Sequence, residues 1–186
     1  MSFIAELWIP IVLSAVLVFV ASSLIHMVIK WHNSDYWKLS NEDAVRAVVR
    51  AGSPAPGQYV IPHCADMKEM GSPEMKQKFV EGPCAFMTVR SPGLPKMGSA
   101  LGSWFGYVLL LGVIAGYLAS HTLPHGATVL QVCRVVSSVT FVAYCGGSVQ
   151  SSIWMGKSWS STSKDILDAV IYAAITGATF GYLWPH

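Results

Sequence analysis

Four long apolar stretches alternate with polar ones along the chain. Leu7–Ile29, 23 residues, would rise about 34 Å as a helix, enough to cross a hydrocarbon layer of about 30 Å. Pro10 falls in its first turn, where a missing N–H costs little. No Lys or Arg precedes the stretch, so it reads as a retained span rather than a cleaved leader. Trp8 and Trp31 bracket it like interfacial anchors. Ser99–Ser120, Ala127–Val149 and Asp165–Trp184 follow. The pattern predicts an all-α membrane protein: a four transmembrane helix bundle with helix 1 in residues 1–30 and helices 99–120, 127–149 and 165–184 in residues 99–186. The short turn His121–Gly126 can join only antiparallel neighbours. Gln150–Lys164 reads as a Ser-rich connector, with Thr162 and Ser163 as caps for the last helix.

Residues 31–98 are polar and punctuated like a small folded unit. Ser40 before Asn41, Glu42 and Asp43 reads as an N-cap, and that helix stops at Gly52. Gln58–Ile61 and Cys84–Arg90 read as strands. Ser72-Pro73-Glu74 starts a second helix that Gly82-Pro83 ends. The expectation is a small α+β cytoplasmic insertion between helices 1 and 2, resting on the membrane surface. Two strands alone are marginal and need support.

Helical phase assigns packing faces. In the second span Gly102, Gly106, Gly112 and Gly116 fall within about 120° of arc, opposite Trp104, Tyr107 and Leu111. With Gly177 and Gly181 of the fourth span they form GxxxG pairs, which allow close backbone approach in lipid.

Composition sharpens the class. Of 186 residues 53% are hydrophobic and 12% charged, a balance poor for a soluble domain and ordinary for a polytopic membrane protein. The formal charge of +2, without a dense basic run, is too small to argue for nucleic acid, and no nucleic-acid partner is expected. Nine of the twelve Lys and Arg lie between spans one and two, and Lys157 and Lys164 lie between spans three and four. The positive-inside rule then places both termini outside and both basic loops in the cytoplasm. Cys64 and Cys84 in that first loop would then stay reduced.

Trp31-His32, Asp35-Tyr36, Gly57-x-Tyr59, Gly71-Ser72-Pro73-Glu74 and Ser152-Ile153-Trp154 together resemble small four-span bacterial inner-membrane proteins with no assigned activity. The resemblance covers the whole chain. It implies a bacterial inner membrane and carries no catalytic or binding residues with it.

Candidate chemistry is sparse. Arg134 lies about 10 Å inside the third span, sharing a face with Gln131, Ser138 and Cys145, and Glu6 matches it in depth. A charge there is paired, snorkels or binds an anion. In the fourth span Asp165, Asp168, Tyr172, Thr176 and Thr179 form a polar stripe. The acids either serve the helix dipole or, for Asp168 and Tyr172, line a hydrated pocket. His26 matches Asp168 in depth, and His26, Asp168 and Tyr172 are expected to converge as a hydrogen-bonded cluster. His63, Cys64, Met67 and Met70, with Met75 and Cys84 nearby, offer soft ligands of the Cu(I) type, but read equally well as a turn before a helix. Gly156-Lys157-Ser158 lacks the earlier glycine of a phosphate loop, Ser151 standing there. Neither G-x-S-x-G nor H-E-x-x-H occurs.

No cofactor is implied. The reading is a non-enzymatic structural or accessory subunit that self-associates as a homo-oligomer or serves other membrane subunits. The alternative is a small oligomeric channel or transporter, and the third a soft-metal-handling protein or membrane enzyme.

Overall fold

The computed structural model describes residues 3–185. In chain order, α1 (Phe3–Ser23) continues through a π-helical turn (Leu24–Ile29) into a 3-10 turn (Trp31–Asp35). Then come α2 (Glu42–Ala51), β1 (Gly57–Ile61), α3 (Met67–Met70), α4 (Pro73–Glu81) and β2 (Ala85–Val89). Three long helices close the chain: α5 (Met97–Thr122), α6 (Val129–Met155) and α7 (Trp159–Tyr182). Phe3–Ile29, α5 and α6 are long and apolar enough to cross a membrane. The chain divides into two compact units, Met1–Trp37 with Lys96–His186, and Lys38–Pro95.

The helical unit is built around α7, which packs on α1 and α6, while α5 packs on α1 and α6. One half of its core is apolar throughout: Leu7, Ile11, Ala115, Ala119, Val132, Val136, Phe180 and Trp184 are buried together. The other half, made by Ala15, Val18, Ile25, Val108 and Tyr172, is bordered by Trp31, Trp104 and Tyr144. Ser and Thr are kept inside by bonding to helix carbonyls, as Thr176 Oγ1 does to Tyr172 O (2.8 Å) and Thr179 Oγ1 to Ile175 O (2.8 Å). Such back-bonding satisfies hydroxyls where water is absent.

Glycines allow the closest contacts. A Cβ at Gly177 would collide with Ser137 Oγ, and one at Gly181 would lie 2.9 Å from Cys133 Sγ and 3.0 Å from Val129. Ser137 Oγ donates to Ala173 O (3.0 Å) and Cys133 Sγ to Gly177 O (3.2 Å), tying α6 to α7. Gly112 meets Ile11, and Gly116 meets Phe180, Ile11 and Leu7. The expectation fails at Gly102 and Gly106, where a Cβ would meet nothing within 4 Å among the described residues. It also fails at Leu111, which is buried. The inward row is Val108, Leu111, Gly112, Ala115, Gly116 and Ala119. Apolar Cβ contacts fix this phase, and the wheel assigned it from glycine alone.

Boundaries move with the caps. α6 runs past Val149 to Gly156, a left-handed residue at φ 71°, a conformation that suits glycine. α7 starts at Trp159 because Ser158 Oγ accepts from Ser161 N at 3.1 Å. Thr162 and Ser163 therefore lie inside the helix rather than capping it. Gly156, Lys157 and Ser158 end one helix and begin the next. Residues 31–37 leave the insertion and join the helical unit.

In the second unit β1 and β2 pair antiparallel from Gly57↔Val89 to Ile61↔Ala85. Ser72 caps α4 by accepting from Met75 N at 3.2 Å. Asn41, not Ser40, precedes α2, and its side chain makes no cap bond. α3, unforeseen in the sequence, is capped by Asp66 Oδ1 accepting from Glu69 N at 2.8 Å.

Candidate functional site

At one end of the helical unit the last turns of α1, the first turns of α5 and α7 and the end of α6 line an open cavity of about 550 Å³. Its wall is mostly apolar and aromatic, with Met27, Leu101, Trp104, Tyr107 and Tyr144. Asp165, Asp168 and Ser148 supply the polar edge. Trp104, Tyr144 and Tyr172 form a triangle of rings with centroids 5.3–6.2 Å apart. Trp104 Nε1 donates to Ser22 Oγ at 2.9 Å, which turns this ring inward rather than toward lipid.

A charged chain adjoins the cavity. The π-helical turn carries His26, whose Nδ1 lies 3.1 Å from Ser22 O. Lys30 then takes a left-handed conformation (φ 58°) that folds the 3-10 turn back toward α7. His32 thereby stacks on His26, with centroids 4.9 Å apart and planes 20° apart. Its Nδ1 lies 2.8 Å from Asp35 Oδ2 and its Nε2 3.1 Å from Asp168 Oδ2. Tyr172 OH donates to the same Asp168 oxygen at 3.5 Å. Lys164 Nζ donates to Asp35 Oδ1 (2.5 Å), Ser34 Oγ (2.7 Å) and Trp31 O (2.9 Å). The Lys164 ammonium holds the Asp35 carboxyl below the usual carboxylate range, with burial opposing and His32 assisting. Asp165 pairs with Lys157 and accepts from Ser148 Oγ at 2.6 Å.

His26, Asp168 and Tyr172 thus come together, and His32 stands among them. Both His32 nitrogens face carboxylates, an arrangement met either by an imidazolium that donates to both or by one N–H toward Asp35 and a metal cation between Nε2 and Asp168. Asp168 is 6% exposed, and its Oδ1 lacks a partner among the described residues, as does Trp31 Nε1. Buried polar atoms without a partner are uncommon in folded proteins.

Other expected sites do not assemble. Arg134 is exposed and makes no ion pair among the described residues. Glu6 instead faces His125, 3.9 Å away. α6 turns Val132, Cys133, Val136 and Ser137 inward, so Arg134 faces out and its long side chain can snorkel. Gln131 is spent on a capping box with Thr128. His63 and Cys64 join no converging group of His, Cys, Asp or Glu among the described residues, and Met67 and Met70 are exposed. Trp31, expected as a lipid anchor, packs beside the core.

His32, Asp35 and Lys164 had weak sequence signals: a His-x-x-Asp spacing on what looked like a loop, and a lysine counted only for topology. Comparison with protein-family models, curated proteins and solved structures finds no match to this chain.

Proposed function

We propose that the chain is a four-span integral membrane protein of the bacterial inner membrane. In this reading it is a non-enzymatic accessory subunit whose one-ended cavity holds a small amphiphilic molecule. The carrying observation is the contrast between the two halves of the core. An aromatic cavity with a polar edge occupies one end, and Leu7, Ile11, Val132, Val136 and Phe180 fill the other. A cavity of about 550 Å³ falls in the range of about 300–1,000 Å³ that suits small ligands. An apolar plug offers no wet path through this bundle, which argues against conduction.

α7 serves as the fourth span in this reading. Its polar side chains face α1 and α6 rather than lipid, so lower hydropathy does not bar it from the bilayer. The basic loops put both termini outside. The exposed Gly102 and Gly106 leave room for the close approach of a second copy or another subunit.

Native mass spectrometry of protein extracted from its membranes tests the ligand. A bound small molecule is expected on the wild type and not on Ala100→Trp, which fills the cavity. In liposomes ion and proton flux should stay at background. Bare wild-type protein with a flux abolished by Asp168→Asn would establish the transporter instead.

A further inference from the structure

The stacked histidines and Asp168 carry a second inference. Ligand atoms of His26, His32 and Asp168 lie within 4.8 Å of one another. The Nδ1 of each ring faces an oxygen acceptor, Ser22 O for His26 and Asp35 Oδ2 for His32. With a proton on each Nδ1, each Nε2 keeps a lone pair that a metal ion can accept. His32 Nε2 then faces Asp168 Oδ2 at 3.1 Å. In that tautomer the lone pair and the carboxylate oxygen converge on one point that a cation can fill, where an imidazolium would instead place a proton. The second Asp168 oxygen is buried and unpartnered. Charge points the same way. Asp35, Asp165 and Asp168 face Lys157 and Lys164, leaving one carboxylate in excess when the histidines are neutral.

We propose that His26 Nε2, His32 Nε2 and the Asp168 carboxylate bind one divalent first-row transition ion, of which Zn²⁺ is the best fit. Two imidazoles and a carboxylate are borderline ligands that favour Zn²⁺ over Ca²⁺ or Mg²⁺. Bonds of about 2.0–2.2 Å require the three side chains to contract onto the ion. Asp35 completes a carboxylate–histidine–metal relay, and Lys164 fixes Asp35. A three-residue set leaves a coordination position open. Because His26 and Asp168 also line the cavity, that position can receive the polar head of an amphiphile. The ion itself needs no such ligand, so the site stands even if the ligand reading fails.

Chelator-treated full-length protein in nanodiscs, with no organic ligand added, is titrated with Zn²⁺ and then with Co²⁺. One equivalent per chain should bind with Kd below about 1 μM. Asp35→Asn should weaken binding about 10–100-fold, as loss of an outer-shell partner does. His26→Gln and Asp168→Asn should weaken it further, and the Cys64→Ser/Cys84→Ser variant should bind like the wild type. The Co²⁺ spectrum of the wild type needs no variant and should show bands of nitrogen and oxygen ligation without a thiolate charge-transfer band. No binding, binding indifferent to His26→Gln and Asp168→Asn, or a thiolate band would each overturn the site. A loss of the amphiphile adduct with Zn²⁺ binding intact would refute only the ligand reading.

Discussion

Lys164 is where single residues matter most. Its ammonium is the only Lys or Arg partner of Asp35 among the described residues, and the Asp35 side chain is 7% exposed. Removing one member of a partly buried pair leaves Asp35 with His32 alone, so Lys164→Met should cost about 1–2 kcal/mol of stability in detergent. Pairing it with Asp35→Asn should recover part of that loss. Additive effects in the double-mutant cycle would mean the pair is not coupled. Glycines sort sharply at the same scale. Gly177→Ala should destabilise by about 1–3 kcal/mol because the new methyl meets Ser137 on the facing helix. Gly106→Ala should stay within about 0.5 kcal/mol in the monomer, because nothing crowds it. Thermal unfolding of the two variants side by side checks both. Trp104→Phe removes one donor to Ser22 and should cost about 1 kcal/mol.

Among elements, apolar length made the long helices legible. Phe3–Ile29, α5 and α6 are apolar enough to be read from hydropathy alone. Their ends were less legible, because a Ser-rich stretch looks like a connector until Ser158 is seen to cap α7 and Gly156 to end α6. The 3-10 turn at Trp31–Asp35 was hidden for a related reason. Its fold-back depends on a left-handed Lys30, a conformation that lysine sequence does not signal. That turn brings in His32, so the site was half legible. His26, Asp168 and Tyr172 follow from depth and phase, whereas His32 and Asp35 follow from a tertiary contact. Arg134 shows the opposite error, since matching depth with Glu6 says nothing about which way α6 faces. Lys30→Pro should unseat the turn and lower Zn²⁺ affinity at least tenfold, while Lys30→Gly should retain it. Equal affinities would show that the turn does not hold His32.

For the whole molecule, the claim that matters most is that α7 crosses the membrane although it is the most polar of the long helices. Its stripe of Asp168, Tyr172, Thr176 and Thr179 is buried against protein, and its glycines fit α6. If α7 crosses, its two ends lie on opposite sides, and the cavity sits near the face that carries Lys157 and Lys164. Single cysteines at Ser53, His125, Gly156 and Leu183, in a background lacking Cys64, Cys84, Cys133 and Cys145, can be probed with a membrane-impermeant thiol reagent on intact cells. His125→Cys and Leu183→Cys should label from outside, and Ser53→Cys and Gly156→Cys only after permeabilisation. Labelling of Gly156→Cys and Leu183→Cys from the same side would contradict the four-span arrangement and the depth assigned to the site.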